Sequence, residues 1–192
     1  MRQTFIYKPG DIRVENVPDP GIVSPTDAII RIVATCVCGS DLWDYRGINP
    51  VGEPHPIGHE YAGVVEEIGG EVSAVKPGQF VIGSFFASDG TCPICRAGYQ
   101  TSCLHREFIN GCQAELARIP LADGTLVATA GQPSGELIPS LLALSDVMGT
   151  GCTRPSRPRS SRARPSRSSV TARSACVRSS RPGNWVPSGS SP

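Results

Sequence analysis

Two short segments of the chain carry residue types that bind a catalytic metal. CVCGSDLWDY contains Cys36 and Cys38, and PHPIGHEYAGVV contains His59 and Glu60 at the start of a β-rich run. A thiolate, an imidazole and a carboxylate are ligands that hold a catalytic zinc while leaving one coordination position open. Taken alone, Cys36 is predicted to be a buried thiol on the preceding strand, and His59 could be a hydrogen-bonded core histidine. Because Gly58 allows a close approach of the backbone, the two segments together favour the zinc site.

A third segment, SDGTCPICRAGYQTSC (residues 88–103, the cysteine lobe), has the spacing of a closed structural zinc site. Its candidate ligands are Asp89, Cys92, Cys95 and Cys103, in the pattern D-x2-C-x2-C-x7-C. A structural zinc would supply the order that a Gly-rich lobe with so small a core lacks. A solvent loop with three unrelated thiols is the alternative, but free exposed cysteines are a chemical liability. Asp89 either ligates the metal or caps the loop.

The elements that must position these residues are short β-rich runs separated by Gly and Pro. The predicted strands are TFIY, DIRVENV, DAIIRIVAT, YAGVVEEIG, QFVIGSFF, QAELARIP and TLVA. Such a density of short strands favours a barrel or sandwich over a parallel sheet. Short helices are predicted over residues 40–45 and 136–144; Asp146 follows the second and would by itself be an ordinary helix-end carboxylate. Cys112 has no partner at a ligand spacing, which indicates packing.

The net charge of +1 hides an uneven distribution. Residues 1–151 hold nine basic and all seventeen acidic residues, whereas residues 152–192 hold nine arginines and no acid. The first part is long enough to bury a core, and the second has few apolar residues to bury. No secretory signal opens the chain and no apolar run reaches the roughly 20 residues of a membrane span. With eight cysteines interpreted as metal ligands and buried thiols, these features predict a cytoplasmic protein.

CGSD, GHEYAGVVEEIG, the cysteine lobe and LSDVMGTG, in this order and spacing, resemble the zinc-dependent medium-chain alcohol dehydrogenases. The resemblance covers residues 1–151, which would form the GroES-like catalytic domain of that family. It implies a zinc ion in each of two sites, a small alcohol or its aldehyde or ketone as substrate, and NAD(P) as the hydride acceptor. It also implies a homo-oligomer for the full-length proteins and no membrane.

By that resemblance the catalytic zinc ligands are Cys38, His59 and Asp146. Glu60 would be the carboxylate beside the metal, able to approach it when water or product exchanges. Ser40 would take the alcohol proton, and Asp41 would orient His59. Thr150 would lie near the nicotinamide. The implied reaction is hydride transfer from a zinc-bound alkoxide to the cofactor.

Three positions depart from the family pattern. Trp43 stands where some relatives carry a proton-relay histidine, and Asp89 replaces the first of four structural cysteines. At Cys152 the resemblance predicts an aromatic residue, then a helix, a strand and a Gly-rich dinucleotide turn. None of these follows.

The arginine-, serine- and proline-rich residues 152–192 have two interpretations. One is a disordered basic tail that binds nucleic acid or other polyanions weakly through phosphate contacts. The other is a frameshift. With G taken as every third base, residues 154–175 read one base out of phase become AAVAAAVVAGAAVAVVGDGAVG. The GDGAVG after a β-like run is a dinucleotide-binding fingerprint, which suggests a missing base near codon 152.

The sequence therefore predicts a mainly β, GroES-like barrel with a structural-zinc lobe and few short helices over residues 1–151. A disordered tail, residues 152–192, follows. The predicted function is a zinc-dependent, NAD(P)-linked dehydrogenase of an alcohol or polyol, without turnover by this chain alone because nothing in it holds the cofactor's pyrophosphate. The alternative is a non-enzymatic zinc-binding β-domain whose basic tail binds nucleic acid.

Overall fold

The computed structural model describes residues 1–152. Residues 1–146 form one compact unit, and the short helix Val147–Cys152 belongs to a second unit that is described by itself. The predicted tail, its proposed polyanion binding and the frameshift hypothesis therefore lie outside the described residues. Within the described residues, no helix is long and apolar enough to cross a membrane.

The first unit is mainly β, as predicted. Its strands are β1 (Arg2–Lys8), β2 (Asp11–Asn16), β3 (Ala28–Thr35), β4 (His55–Pro56), β5 (Tyr61–Ile68), β6 (Phe80–Gly83), β7 (Phe86–Ala87), β8 (Glu107–Phe108), β9 (Leu116–Ile119) and β10 (Leu126–Ala128). They form a sheet of order β10-β6-β5-β3-β9, a sheet of order β2-β1-β4 and a pair β7-β8, with every pairing antiparallel. All seven predicted strand regions contain an observed strand.

The core lies on the five-stranded sheet, where the central strands β3 and β5 are richest in apolar and β-branched residues. Ile30 on β3, Tyr61 and Val65 on β5, and Ile119 on β9 are each at most 1% exposed. Because β3 and β5 are antiparallel, with Thr35 opposite Tyr61, the segment after β3 meets the segment before β5 at one end of the sheet. The two segments with candidate catalytic ligands are those two segments.

The predicted strand QFVIGSFF is divided in the structure. β6 ends at Gly83, and β7 begins at Phe86 in another sheet. Between them the Ser84 hydroxyl accepts a hydrogen bond from the amide of Phe86 at 3.3 Å, which closes a local turn. This turn directs the chain from the main sheet to the cysteine lobe.

The helices of the described residues are short. They are α1 (Asp41–Tyr45), α2 (Pro93–Arg96), α3 (Ala122–Thr125), α4 (Ile138–Leu142) and α5 (Val147–Cys152), with a 3₁₀ turn at Gln100–Ser102. α1 and α4 lie within the two predicted helical regions. Leu142 of α4 packs with Ala62, Phe80 and Ile82 of the main sheet, so α4 brings the residues that follow it close to strands β5 and β6.

Candidate metal centres

The chain reversal at Gly58 sets the position of His59 and Glu60. Gly58 has φ +99°, and a β-carbon on it would lie 2.6 Å from the backbone nitrogen of Gln113. A side chain at this position would therefore meet both steric exclusion and an unfavourable backbone conformation. The close backbone approach expected of Gly58 is present, and it leads directly into the buried His59 and Glu60.

Asp146 reaches the same place through its neighbour Ser145. The buried Ser145 hydroxyl accepts a hydrogen bond from the Tyr61 amide at 3.1 Å and donates one to the Gly83 carbonyl at 2.6 Å. This joins the segment after α4 to the start of β5 and the end of β6. Asp146 Oδ2 then lies 3.6 Å from Cys38 Sγ and 3.6 Å from His59 Nε2.

The structure thus brings together four predicted site residues from three distant segments: Cys38, His59, Glu60 and Asp146, here called the Cys38 cluster. One possible ligand atom from each lies within 4.8 Å of the others. One thiol, one imidazole and two carboxylates form a donor set suited to zinc. His59 and Glu60 are buried and the other two members are partly buried, so a cation among these side chains would offset the charge of the two carboxylates.

Asp41 contacts two members of this cluster. Its Oδ1 lies 3.4 Å from His59 Nδ1, and its Oδ2 accepts the Cys38 amide hydrogen at 2.8 Å. The hydrogen bond with Asp41 raises the pKa of His59, while burial opposes that rise. With Nδ1 directed to Asp41, the other ring nitrogen faces Asp146, which is the orientation that a metal-binding histidine needs.

Glu60 is the most buried carboxylate of the cluster, at 2% exposed. Its Oε2 accepts a hydrogen bond from the Cys36 thiol at 2.7 Å, and its Oε1 is buried with no hydrogen-bond partner among the described residues. A buried carboxylate oxygen left in this way fits a site built for a cation. Burial, then the Glu60 hydrogen bond, raises the pKa of Cys36 to about 12, so Cys36 stays a thiol donor. Burial also raises the pKa of Cys38, against hydrogen bonds from Ser40 that lower it.

A cavity of about 520 Å³ opens beside the cluster. Ser40, Asp41, His59 and Phe108 are among the residues that line it. The Phe108 and Phe85 ring centroids lie 5.7 and 6.2 Å from that of His59. The cavity therefore reaches the cluster at His59 and combines a few polar side chains with an apolar lining, as small-molecule sites commonly do.

The cysteine lobe gathers its four predicted ligands in the same manner. Asp89, Cys92, Cys95 and Cys103 each offer a ligand atom within 4.8 Å of the others, and the three cysteines are buried. Cys92 caps α2, its sulfur accepting the Cys95 amide hydrogen at 3.4 Å. Hydrogen bonds from the amides of Leu104 and Cys95 lower the pKa of Cys92 to about 7, whereas burial raises that of Cys95 to about 12. Amide donors directed at sulfur favour the thiolate that binds zinc.

Asp89 does cap its loop. Its Oδ1 accepts the amide hydrogens of Thr91 and Cys92 at 2.8 and 2.9 Å, and its Oδ2 lies 2.6 Å from His105 Nδ1. These contacts, the Cys92 amide first, hold the pKa of Asp89 well below its usual range. Because the same carboxylate lies within reach of the three sulfurs, capping and ligation are compatible here.

Sequence reasoning missed three contributors to these sites: Ser145, His105 and the Cys36–Glu60 pair. His105 follows Cys103 by two residues, a proximity that could have indicated a supporting role. Nothing in the local sequence identifies Ser145 as the link to β5. Thr150 lies in α5, in the second unit. Trp43, on α1, is 55% exposed, and Cys112 is buried in the core as expected.

Comparison with known proteins gives one family and a consistent set of relatives. Residues 24–129 match the family described as the alcohol dehydrogenase GroES-like domain. The chain is 35% identical over 156 residues to a zinc-type alcohol dehydrogenase of Aspergillus flavus, covering 79% of this chain and 36% of that protein. It is 34% identical over 157 residues to a probable zinc-binding alcohol dehydrogenase of Mycobacterium tuberculosis, covering 79% and 40%. The chain thus spans less than half the length of these two curated relatives.

Solved structures of alcohol dehydrogenases also resemble this chain. An alcohol dehydrogenase from Thermus sp. ATN1 is 30% identical and superposes with a TM-score of 0.71, over 78% of this chain and 45% of that one. The alcohol dehydrogenase of the archaeon Aeropyrum pernix, 28% identical, gives a TM-score of 0.62 over 76% and 43%. The mainly β unit described above is the part that these enzymes share with this chain.

Proposed function

Because the chain belongs to the family of the alcohol dehydrogenase GroES-like domain, we propose that it provides the metal-binding half of a zinc-dependent oxidoreductase. The substrate would be an alcohol or polyol, its product an aldehyde or ketone, and the hydride acceptor NAD(P). The observation that carries the proposal is the Cys38 cluster, where ligand types that suit zinc converge beside a cavity.

Cys38, His59 and Asp146 would hold the catalytic zinc, with Glu60 beside it. A zinc ion there would supply a Lewis acid that makes an alcohol proton easier to remove. Ser40 lines the cavity next to His59, and its hydroxyl is the group that would take that proton.

The side chains around the cluster would keep it ready for this chemistry. Asp41 holds His59 Nδ1, so the ring presents Nε2 to the metal position. Phe85 and Phe108 lie against His59, and Phe108, which is 56% exposed, would give a substrate an aromatic surface beside the metal position. The side chains are therefore positioned before substrate arrives, which is what lowers the entropic cost of reaction.

The cysteine lobe would hold a second, structural zinc through Cys92, Cys95, Cys103 and Asp89. Its four donors leave no coordination position for a substrate. The bound ion would order a lobe whose own core is three cysteines with Ile94 packed against them.

Metal content tests both sites. The purified 192-residue chain should hold two zinc ions, Cys38→Ser should retain only the lobe zinc, and Cys95→Ser should lose the lobe zinc. Cys112→Ser is the matched control, because Cys112 is a buried cysteine outside both clusters, and it should keep two. A native chain without zinc, or a Cys38→Ser variant that keeps both ions, would refute the assignment.

We also propose a boundary at residue 151, beyond which the chain departs from the family because of a frameshift. Residues 1–151 are 79% of the chain, and the alignments with the curated relatives also cover 79% of it. Thr150 would then lie just before the cofactor domain and near the nicotinamide. Resequencing codons 148–176 tests this proposal. If a base proves to be missing there, restoring it places GDGAVG in the reading frame; if the frame is confirmed as it stands, the frameshift is refuted.

As translated, the chain would lack a site for the pyrophosphate of the cofactor and would not turn over. A titration with NADH followed by its fluorescence should show no saturable binding. Saturable binding would contradict this proposal. The nine arginines of residues 152–192 would give weak retention on heparin, which deletion of those residues should abolish.

A further inference from the structure

Cys36 lies outside both sets of predicted metal ligands and yet contacts one of them. It follows β3 directly, and Glu60 precedes β5, the strand paired with β3. The Thr35 hydroxyl donates to the Glu60 carbonyl at 2.8 Å, which fixes the Glu60 backbone against the end of β3. The Cys36 thiol then donates to Glu60 Oε2 at 2.7 Å. Two consecutive residues thus hold Glu60, one by its backbone and the other by its side chain.

The two oxygens of the Glu60 carboxylate have different surroundings. Oε2 accepts the thiol hydrogen, while Oε1 is fully buried and has no hydrogen-bond partner among the described residues. Glu60 also places a carboxylate oxygen within 4.8 Å of ligand atoms of Cys38, His59 and Asp146. Without the Cys36 thiol, Oε2 would lose this hydrogen bond as well. Both oxygens of the buried carboxylate would then turn to a nearby cation, because an unsatisfied buried oxygen is costly.

We propose that Cys36 is a positioning residue, whose thiol holds Glu60 by Oε2 and so keeps this carboxylate from closing the fourth coordination position of the metal. The proposal rests on the metal site assigned to the Cys38 cluster above. Cys38, His59 and Asp146 supply three ligands, and a bound zinc needs its fourth position open for substrate. Glu60 is near enough to occupy that position. The hydrogen bond from Cys36 sets how readily it does so.

A purely structural role for Cys36 makes a different prediction. Cys36 is partly buried against the group formed by Ala62, Phe80, Ile82 and Leu142. If packing were its only role, a residue of similar volume without a donor would serve equally well. Valine at this position preserves apolar contact and removes the donor, whereas serine keeps the donor and reduces the apolar contact. The two substitutions therefore separate the roles.

The experiment uses the full 192-residue chain, freed of zinc and loaded with Co²⁺, whose visible bands report the ligands around it. Azide is added as a probe of the open position, since the four-ligand cysteine lobe offers none. Cys36→Val and Cys36→Ala should weaken azide binding about tenfold, the equivalent of one hydrogen bond. Cys36→Ser should match the native chain. Adding Glu60→Gln to Cys36→Val should restore azide binding, because the amide is a poor metal ligand.

Cys112→Ala is the control for loss of a buried thiol and should bind azide as the native chain does. Equal azide affinity in the native chain, Cys36→Val and Cys36→Ser would overturn the proposal, as would an effect of Cys36→Val that Glu60→Gln does not reverse. The native chain should show a cobalt band that responds to azide, and Cys38→Ser should abolish that band. If no such band is found, the metal site itself is refuted, and the proposed role of Cys36 is refuted with it. A metal site that is present but indifferent to Cys36 is thereby distinguished from an absent one.

Discussion

Replacing Ser145 with alanine should lower the free energy of unfolding by about 1.5–4.5 kcal/mol. The Ser145 hydroxyl is buried, accepts from the Tyr61 amide and donates to the Gly83 carbonyl. Alanine leaves the Tyr61 N–H without this acceptor, which costs about 1–3 kcal/mol for a buried group. Loss of the second bond adds about 0.5–1.5 kcal/mol. The sum is large for one hydroxyl because Tyr61 itself is fully buried.

Urea denaturation followed by circular dichroism measures the change. The matched control is Ser140→Ala, since Ser140 lies in the neighbouring helix α4 and is exposed, so its loss should change stability by less than about 0.5 kcal/mol. Ser145→Ala should also weaken zinc binding at the Cys38 cluster, because Asp146 is the next residue, and leave the lobe zinc in place. A Ser145→Ala variant within about 0.5 kcal/mol of the native chain would refute the reasoning.

Three further predictions concern the metal sites. Gly58→Ala should prevent stable folding or abolish zinc binding at the Cys38 cluster, because a β-carbon would overlap the opposing backbone; metal content and circular dichroism check this. Zinc must displace protons from Cys38 and His59, whose pKa values are both raised, so affinity at this site should fall as pH falls from about 8 to about 6. Chelator competition at several pH values measures it, and a pH-independent affinity would contradict it. His105→Ala should speed zinc loss from the lobe about tenfold in a chelator assay, because Asp89 loses the contact to its Oδ2; an unchanged rate would show that this contact does not support the site.

The sequence allowed accurate prediction wherever local pattern determines structure. The apolar, β-branched runs became β3 and β5, and the ligand spacing of the cysteine lobe became a four-residue cluster. Prediction was poorer where pairing between segments distant in sequence determines whether a strand forms. The two-residue strands β4, β7 and β8 have no periodicity of their own and exist because a partner strand lies beside them.

Asp146 shows the same limit at the site. Its position in the Cys38 cluster depends on α4 packing against the main sheet and on the two hydrogen bonds of Ser145. None of these contacts has a signature within LSDVMGTG. Only the family resemblance singled Asp146 out. The contact of the Cys36 thiol with Glu60 likewise has no signature in the local sequence, since it depends on the alignment of β3 with β5.

The proposed metal binding and the proposed hydride transfer would depend on different parts of the protein. The candidate ligands of both sites lie within residues 1–146, on segments that this unit holds together by its own sheet and hydrogen bonds. Zinc content can therefore be measured on this unit without any requirement for a nicotinamide cofactor. Hydride transfer requires a bound cofactor in addition. Because this chain is not expected to turn over by itself, the roles of Ser145 and Asp41 are measured by zinc content, and loss of either side chain should weaken zinc binding at the Cys38 cluster while leaving the lobe zinc in place.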